Sequence, residues 1–109
     1  MSEQNLYVYH LKLAPKYTDP ANWTDADHQI IGQHAQFFID LGKQGVLLFA
    51  GRTDLPPGDA NLFGIAVFKA DSLESAKAIM ANDPARRHGI QVGEILPFRL
   101  PIHFIENFG

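Results

Sequence analysis

Two short segments of this chain are apolar on both of their alternating faces, and this limits its architecture more than any other feature. In Val46-Leu47-Leu48-Phe49-Ala50-Gly51, one set of alternate residues is Val46, Leu48 and Ala50, and the other is Leu47, Phe49 and Gly51. In Phe63-Gly64-Ile65-Ala66-Val67-Phe68, the residues Phe63, Ile65 and Val67 oppose Gly64, Ala66 and Phe68. A strand with one wet face alternates apolar and polar side chains. These two runs do not, so a sheet built from them needs cover on both sides.

The rest of the chain supplies cover for one side. Leu6 to Leu13, rich in aromatic and β-branched residues, reads as a first strand, ended by Pro15 and Thr18-Asp19-Pro20. Thr24 is a plausible N-cap, with Asp25 and Asp27 in the first turn of a helix that runs to about Lys43 and stops at Gly45. At about 100° per residue, Ile30, Ile31, Phe37, Phe38 and Leu41 form one apolar arc, with Gln29, Gln33, Gln36, Asp40 and Lys43 opposite. Val46–Gly51 and Phe63–Phe68 are the second and third strands, separated by a turn-rich loop around Pro56-Pro57-Gly58-Asp59. Asp71 or Ser72 caps a second helix carrying Leu73, Ala76, Ile79 and Met80 on one side. Asn82-Asp83-Pro84 breaks that helix, and Pro84 starts a short new turn ending near Gly89. Val92 to Phe98, extending toward Phe104, is the last strand; Pro97 and Pro101 assign it to an edge.

The order β-α-β-β-α-β gives an α+β, ferredoxin-like fold: a four-stranded antiparallel sheet with two helices on one face. Two helices cannot cover both faces of four strands. The simplest cover for the second is the same face of another copy, so a homodimer is expected. The chain of 109 residues fits one domain, 1–109, with a core of about 6–99 and a tail at 100–109.

Composition narrows the function. There is no Cys, which excludes thiol catalysis and thiolate metal sites and is compatible with a cytoplasmic location. The net charge of −3 argues against a nucleic-acid partner. No apolar run approaches the roughly 20 residues that span a membrane, and the first residues do not read as a signal peptide. Neither a GxxxxGK[ST] loop nor GxGxxG spacing is present, so nucleotide use is not supported.

Four local features, in their order and spacing, resemble the YciI-like proteins of the dimeric α+β barrel superfamily, over Leu6 to about Arg99. They are Leu6–Leu13, His34 followed by Leu41–Gly51, Asn82-Asp83-Pro84 with Gly89 after it, and Glu94-Ile95-Leu96-Pro97-Phe98. The resemblance implies a ferredoxin-like dimer whose sheets pack together and a His–Asp active site, carried here by His34 and Asp83. It also implies cofactor-free lyase or isomerase chemistry on small unsaturated acids, similar to that of dehydrochlorinases and muconolactone isomerases. The Ala14–Trp23 loop and the Leu100–Gly109 tail depart from shorter members and can reshape the pocket.

Each candidate side chain has a plainer reading beside the functional one. His34 falls at the centre of the apolar arc; by periodicity alone it is a core histidine with one buried partner, and with the resemblance added it is a general acid or base. Asp83 before Pro84 is a helical cap, or the carboxylate that orients the His34 ring; both hold only if separate carboxylate oxygens serve the two partners. Arg52 is either a surface ion pair with Asp54 or a clamp for a substrate carboxylate. His10 faces either a substrate pocket or the subunit partner. Arg86 and Arg87 read as solvated, or one of them as lining the pocket mouth near Asp83. His28 reads as exposed, and Tyr17 and Trp23 as pins of the long loop or, alternatively, as cover for a ligand. His28 and His34, six residues apart, do not share a helix face as metal ligands, and no metal or other cofactor is expected. The expected function is thus a cofactor-free lyase or isomerase moving a proton on a small anionic substrate. The alternatives are a small-ligand-binding or sensor module with the same fold, and a structural dimer in which His34 is a satisfied core residue.

Overall fold

The apolar segments pair into an antiparallel sheet of four strands: β1 (Leu6–Leu13), β2 (Leu47–Arg52), β3 (Gly64–Lys69) and β4 (Gln91–Phe98). Their order in space is β2-β3-β1-β4. The computed structural model describes residues 5–108; residues 1–4 and 109, the ends of the 1–109 domain, lie outside the described residues. Three helices complete the α+β fold: α1 (Asp25–Lys43), α2 (Leu73–Met80) and the single turn α3 (Pro84–Arg87). The fold is the expected βαββαβ arrangement with α3 as a third helix, where the sequence suggested only a turn.

Local chemistry sets the helix ends. Thr24 Oγ1 accepts from the Asp27 N–H at 3.2 Å while Asp27 Oδ2 accepts from the Thr24 N–H at 2.9 Å, a reciprocal cap for α1. That pairing holds the Asp27 carboxyl below its ordinary pKa, with the Thr24 backbone N–H the largest cause. Gly45, at φ +78°, turns the chain out of α1 toward β2. For α2 the cap is Ser72, whose side chain accepts from Ser75 N.

The core lies on one face of the sheet. Tyr7, Tyr9 and Leu11 of β1, Ala66 and Phe68 of β3 and Ile95 of β4 pack against Leu41 of α1 and Ala76 and Met80 of α2. Alternation sends Val8, His10 and Lys12 to the other face, where Val8 pairs with Val67 and His10 with Ile65. No α-helix covers that face among the described residues, but part of it is closed, since Val67 has no exposed surface. Val92 and Leu96 are exposed, and Phe108 from the tail packs edge-on against Phe49 at 6.3 Å.

Strand β4 does lie at an edge, beside β1 only. It ends at Phe98 and does not continue toward Phe104; Pro101 cannot donate to a ladder, and the tail closes in a 3-10 turn at Ile105–Phe108. The Ala14–Trp23 segment is ordered as two 3-10 turns, Pro15–Thr18 and Pro20–Asn22.

One glycine is required by the sheet itself. A Cβ on Gly93 would run into the His10 carbonyl oxygen and the Leu11 backbone, and would meet Tyr9 Cε1 at 3.0 Å. Gly93→Ala is therefore expected to lower stability by about 2 kcal/mol or more, an overpacking cost. Urea unfolding would show it as a lower midpoint, and an unchanged midpoint would contradict it.

Candidate active site

His34 reaches the interior because α1 turns its apolar arc toward the sheet. The ring packs edge-on against Phe38, one helical turn later, with centroids 4.7 Å apart. Its side chain is 14% exposed, and its Nδ1 lies 2.6 Å from Asp83 Oδ1. Asp83 has no exposed surface. It comes to this position by capping α3, whose first residue is Pro84, and it accepts from the Ala85 N–H at 3.1 Å.

The expectation that separate oxygens must serve cap and ring is corrected here. Oδ1 accepts from both Ala85 and His34, since one carboxylate oxygen has two lone pairs. Oδ2 is left for a third donor, the Tyr9 hydroxyl, at 3.3 Å. A carboxylate can only accept, so the arrangement places the ring proton of neutral His34 on Nδ1 and leaves the Nε2 lone pair free.

Tyr9 is fully buried. Burial pushes its phenol up to about 12, with the Asp83 carboxylate adding to the rise and Arg86 opposing it. The Arg86 guanidinium lies over the Tyr9 ring, 5.7 Å from its centroid, and its Nη1 donates to the Gly93 carbonyl at 3.0 Å. Of the two readings the sequence allowed for this pair, Arg86 is tied down beside the Tyr9–Asp83 contact and Arg87 is exposed.

His34 lines a cleft of about 320 Å³ at the end of the sheet. Leu11, Ile31, Phe38, Leu62 and Phe63 give it apolar walls, and Trp23 closes one side. The indole is held by its Nε1–H, which donates to the Tyr17 carbonyl at 2.8 Å, and by the ring of His28 stacked 5.1 Å away. Tyr17 and Trp23 therefore do pin the long loop, and Trp23 is also a wall of the cleft. Lys12 and Arg52 bring positive charge to the lining, which contains no Asp or Glu. Among the described residues Arg52 makes no ion pair, with Asp54 or any other acid. Gln91 also lines the cleft, and its buried Oε1 has no hydrogen-bond partner among the described residues.

His10 is not brought to this cleft. Strand alternation sends it to the uncovered face, where it stacks on Phe63 at 5.1 Å. It is not among the residues lining the cleft, although its stacking partner Phe63 and its same-face neighbour Lys12 are. His28, His88 and His103 are exposed. No group of three or more His, Asp or Glu among the described residues is placed to hold a metal ion.

A family model, the YCII-related domain, matches residues 6–99. The chain belongs to the YCII-related domain family. A comparison with curated proteins returns no match. Among solved structures, the chain is similar to 5-chloro-2-hydroxyhydroquinone dehydrochlorinase (TftG) from Burkholderia phenoliruptrix AC1100, in complex with 2,5-dihydroxybenzoquinone. The TM-score is 0.56 at 14% identity, over 86% of this chain and 93% of that one. At that identity the likeness is one of fold alone.

In this YCII-related domain, sequence reasoning missed Tyr9, Lys12 and Gln91. For Tyr9 a signal was present. His10 and Lys12 are the polar residues of β1 and share one set of alternate positions, which assigns Tyr7, Tyr9 and Leu11 to the core.

Tyr9 makes alkaline stability a test of this geometry. Its phenol titrates at about 12 in the fold against 10.0 ordinarily. Between those values the unfolded chain has lost a proton that the folded chain keeps, so stability falls as pH rises from 10.0 through about 12. Guanidinium unfolding across that range should show a smaller loss in Tyr9→Phe than in wild type. Equal losses would mean that the phenol is not held as described.

Proposed function

We propose that this chain is a small lyase or isomerase that needs no cofactor and moves a proton on a small anionic organic substrate. The observation that carries the reading is His34, its Nδ1 held 2.6 Å from a buried carboxylate and its ring lining a cleft. In this reading Nε2 takes a proton from carbon or oxygen of the substrate, and the Asp83 carboxylate stabilises the imidazolium that forms. In an elimination the freed electron pair becomes a double bond and the leaving group departs as an anion. In an isomerisation the imidazolium returns its proton to a different atom.

The cleft's charge supports an anionic substrate. Lys12 and Arg52 line it without an acidic neighbour in the lining, and Arg52 has its guanidinium available for a carboxylate or an ionised hydroxyl. The fold likeness to a dehydrochlorinase, a lyase by its name, is consistent with this chemistry.

We propose further that the chain works as a homodimer, with the uncovered sheet face as the interface. That face carries exposed Val92 and Leu96, and the tail beside it carries exposed Ile102, Phe104 and Phe108.

The function is tested by incubating the full chain with 5-chloro-2-hydroxyhydroquinone and with a set of small unsaturated carboxylic acids, reading chloride release and product structure. Turnover of one of them is expected. His34→Ala should reduce it by about 10²-fold or more, as for loss of a general base. Asp83→Asn should reduce kcat, and Arg52→Ala should mainly raise KM. Turnover unchanged in both His34→Ala and Asp83→Asn would refute the mechanism. Thermal stabilisation by these compounds without any product would favour the ligand-binding module instead.

A further inference from the structure

The pair described so far has a third member on a different element. We infer that Tyr9 is a positioning residue: its hydroxyl fixes the second oxygen of Asp83 and so sets how strongly that carboxylate draws a proton onto His34. The use of this device in catalysis rests on the function proposed above; the device itself rests on geometry.

The two oxygens of Asp83 are unequally served. Oδ1 accepts from His34 Nδ1 and the Ala85 N–H, whereas Oδ2 has only the Tyr9 hydroxyl, at 3.3 Å, among the described residues. Asp83 has no exposed surface, so bulk solvent does not reach that oxygen. Removing it would leave a buried carboxylate oxygen without a donor and concentrate the negative charge facing His34.

The ring that carries the hydroxyl is held from several sides. Gly93 leaves room beside Cε1, and Arg86 lies over the ring while anchored to the Gly93 carbonyl. Phe38 packs edge-on against Tyr9 at 6.5 Å and also against His34 at 4.7 Å, so one side chain spaces the two rings. The phenol stays protonated, and hence a donor, throughout the neutral range, because burial raises its pKa. The other charged groups near the pair are Arg86 on α3, over Tyr9, Lys12 on β1 and Arg52 on β2, the last two in the cleft lining. All three remain in the variants below.

A core tyrosine that merely needed a partner for its hydroxyl would have no effect on His34. The test therefore reads the imidazole. The His34 ring is titrated by NMR in the full chain, with its signal assigned by loss in His34→Gln. Three forms are compared: wild type, Tyr9→Phe, and the chain carrying 3-fluorotyrosine at position 9 alone. Phenylalanine removes only the hydroxyl, and fluorine makes the phenol a stronger donor while keeping its shape. The His34 midpoint should rise by about half a unit or more in Tyr9→Phe, as carboxylate charge is no longer shared. It should fall in the fluorotyrosine chain.

Midpoints equal to wild type in both forms, or shifts in the same direction, would overturn the inference. If Tyr9→Phe does not fold, the fluorotyrosine chain decides alone: a lowered midpoint supports the inference, and an unchanged or raised one overturns it. No substrate is needed. Shifted midpoints with no turnover of any compound would count against the proposed function and not against the role of Tyr9.

Discussion

A carboxylate buried without exposed surface organises this molecule. Asp83 can stand there only if its oxygens are met by donors, since an unmet buried charge is among the costliest features a fold can carry. Its three donors come from three elements. Ala85 belongs to α3, which Asp83 itself caps, His34 to α1, and Tyr9 to the central part of β1. Local cap, long helix and sheet thus converge on one residue, and a shift of any of them would strand a charge. The same requirement aims His34: with Nδ1 engaged, the ring turns its other nitrogen away from the carboxylate while lining the cleft.

The cleft is where the sheet, α1 and two loops meet. Gly51 and Arg52 end β2, Gly64 and Ile65 begin β3, and the 3-10 segment before α1 delivers Trp23. The long loop is thus part of the wall, stiffened by the bond from the indole to the Tyr17 carbonyl. Arg52 stands in the lining because β2 extends one residue past the apolar run Val46–Gly51, to the end of the strand.

Much of the architecture was legible because short-range rules and burial agreed. The Thr24 cap, the apolar arc of α1, the Pro84 break and the two-sided strands each point to the observed element. His34 was legible for the same reason, as a polar residue at the centre of an apolar arc. Asp83 as its partner was legible only through resemblance, since Asp before Pro reads locally as a cap; the contact between them joins residues 34 and 83. Tyr9 was obscured by composition. Aromatic or apolar residues occupy both alternating sets of β1, so only the shared phase of His10 and Lys12 marks its inward face, which the pairing with Ala66 and Ile95 bears out. His10, one residue on, drew attention by its titratable ring, yet the period of two sends it to the opposite face. The stop of β4 at Phe98 agrees with Pro101, which the sequence did show, whereas the packing of Phe108 against Phe49 joins residues too far apart for any local signal.

The account depends on the neutral imidazole of His34 carrying its proton on Nδ1, toward Asp83, with Nε2 bare. Nitrogen-15 NMR of the His34 ring at a pH where it is neutral measures this directly. The predicted result is a protonated, slowly exchanging Nδ1 and an Nε2 with the shift of a bare ring nitrogen. A proton on Nε2, or a ring averaging freely between the two tautomers, would contradict it.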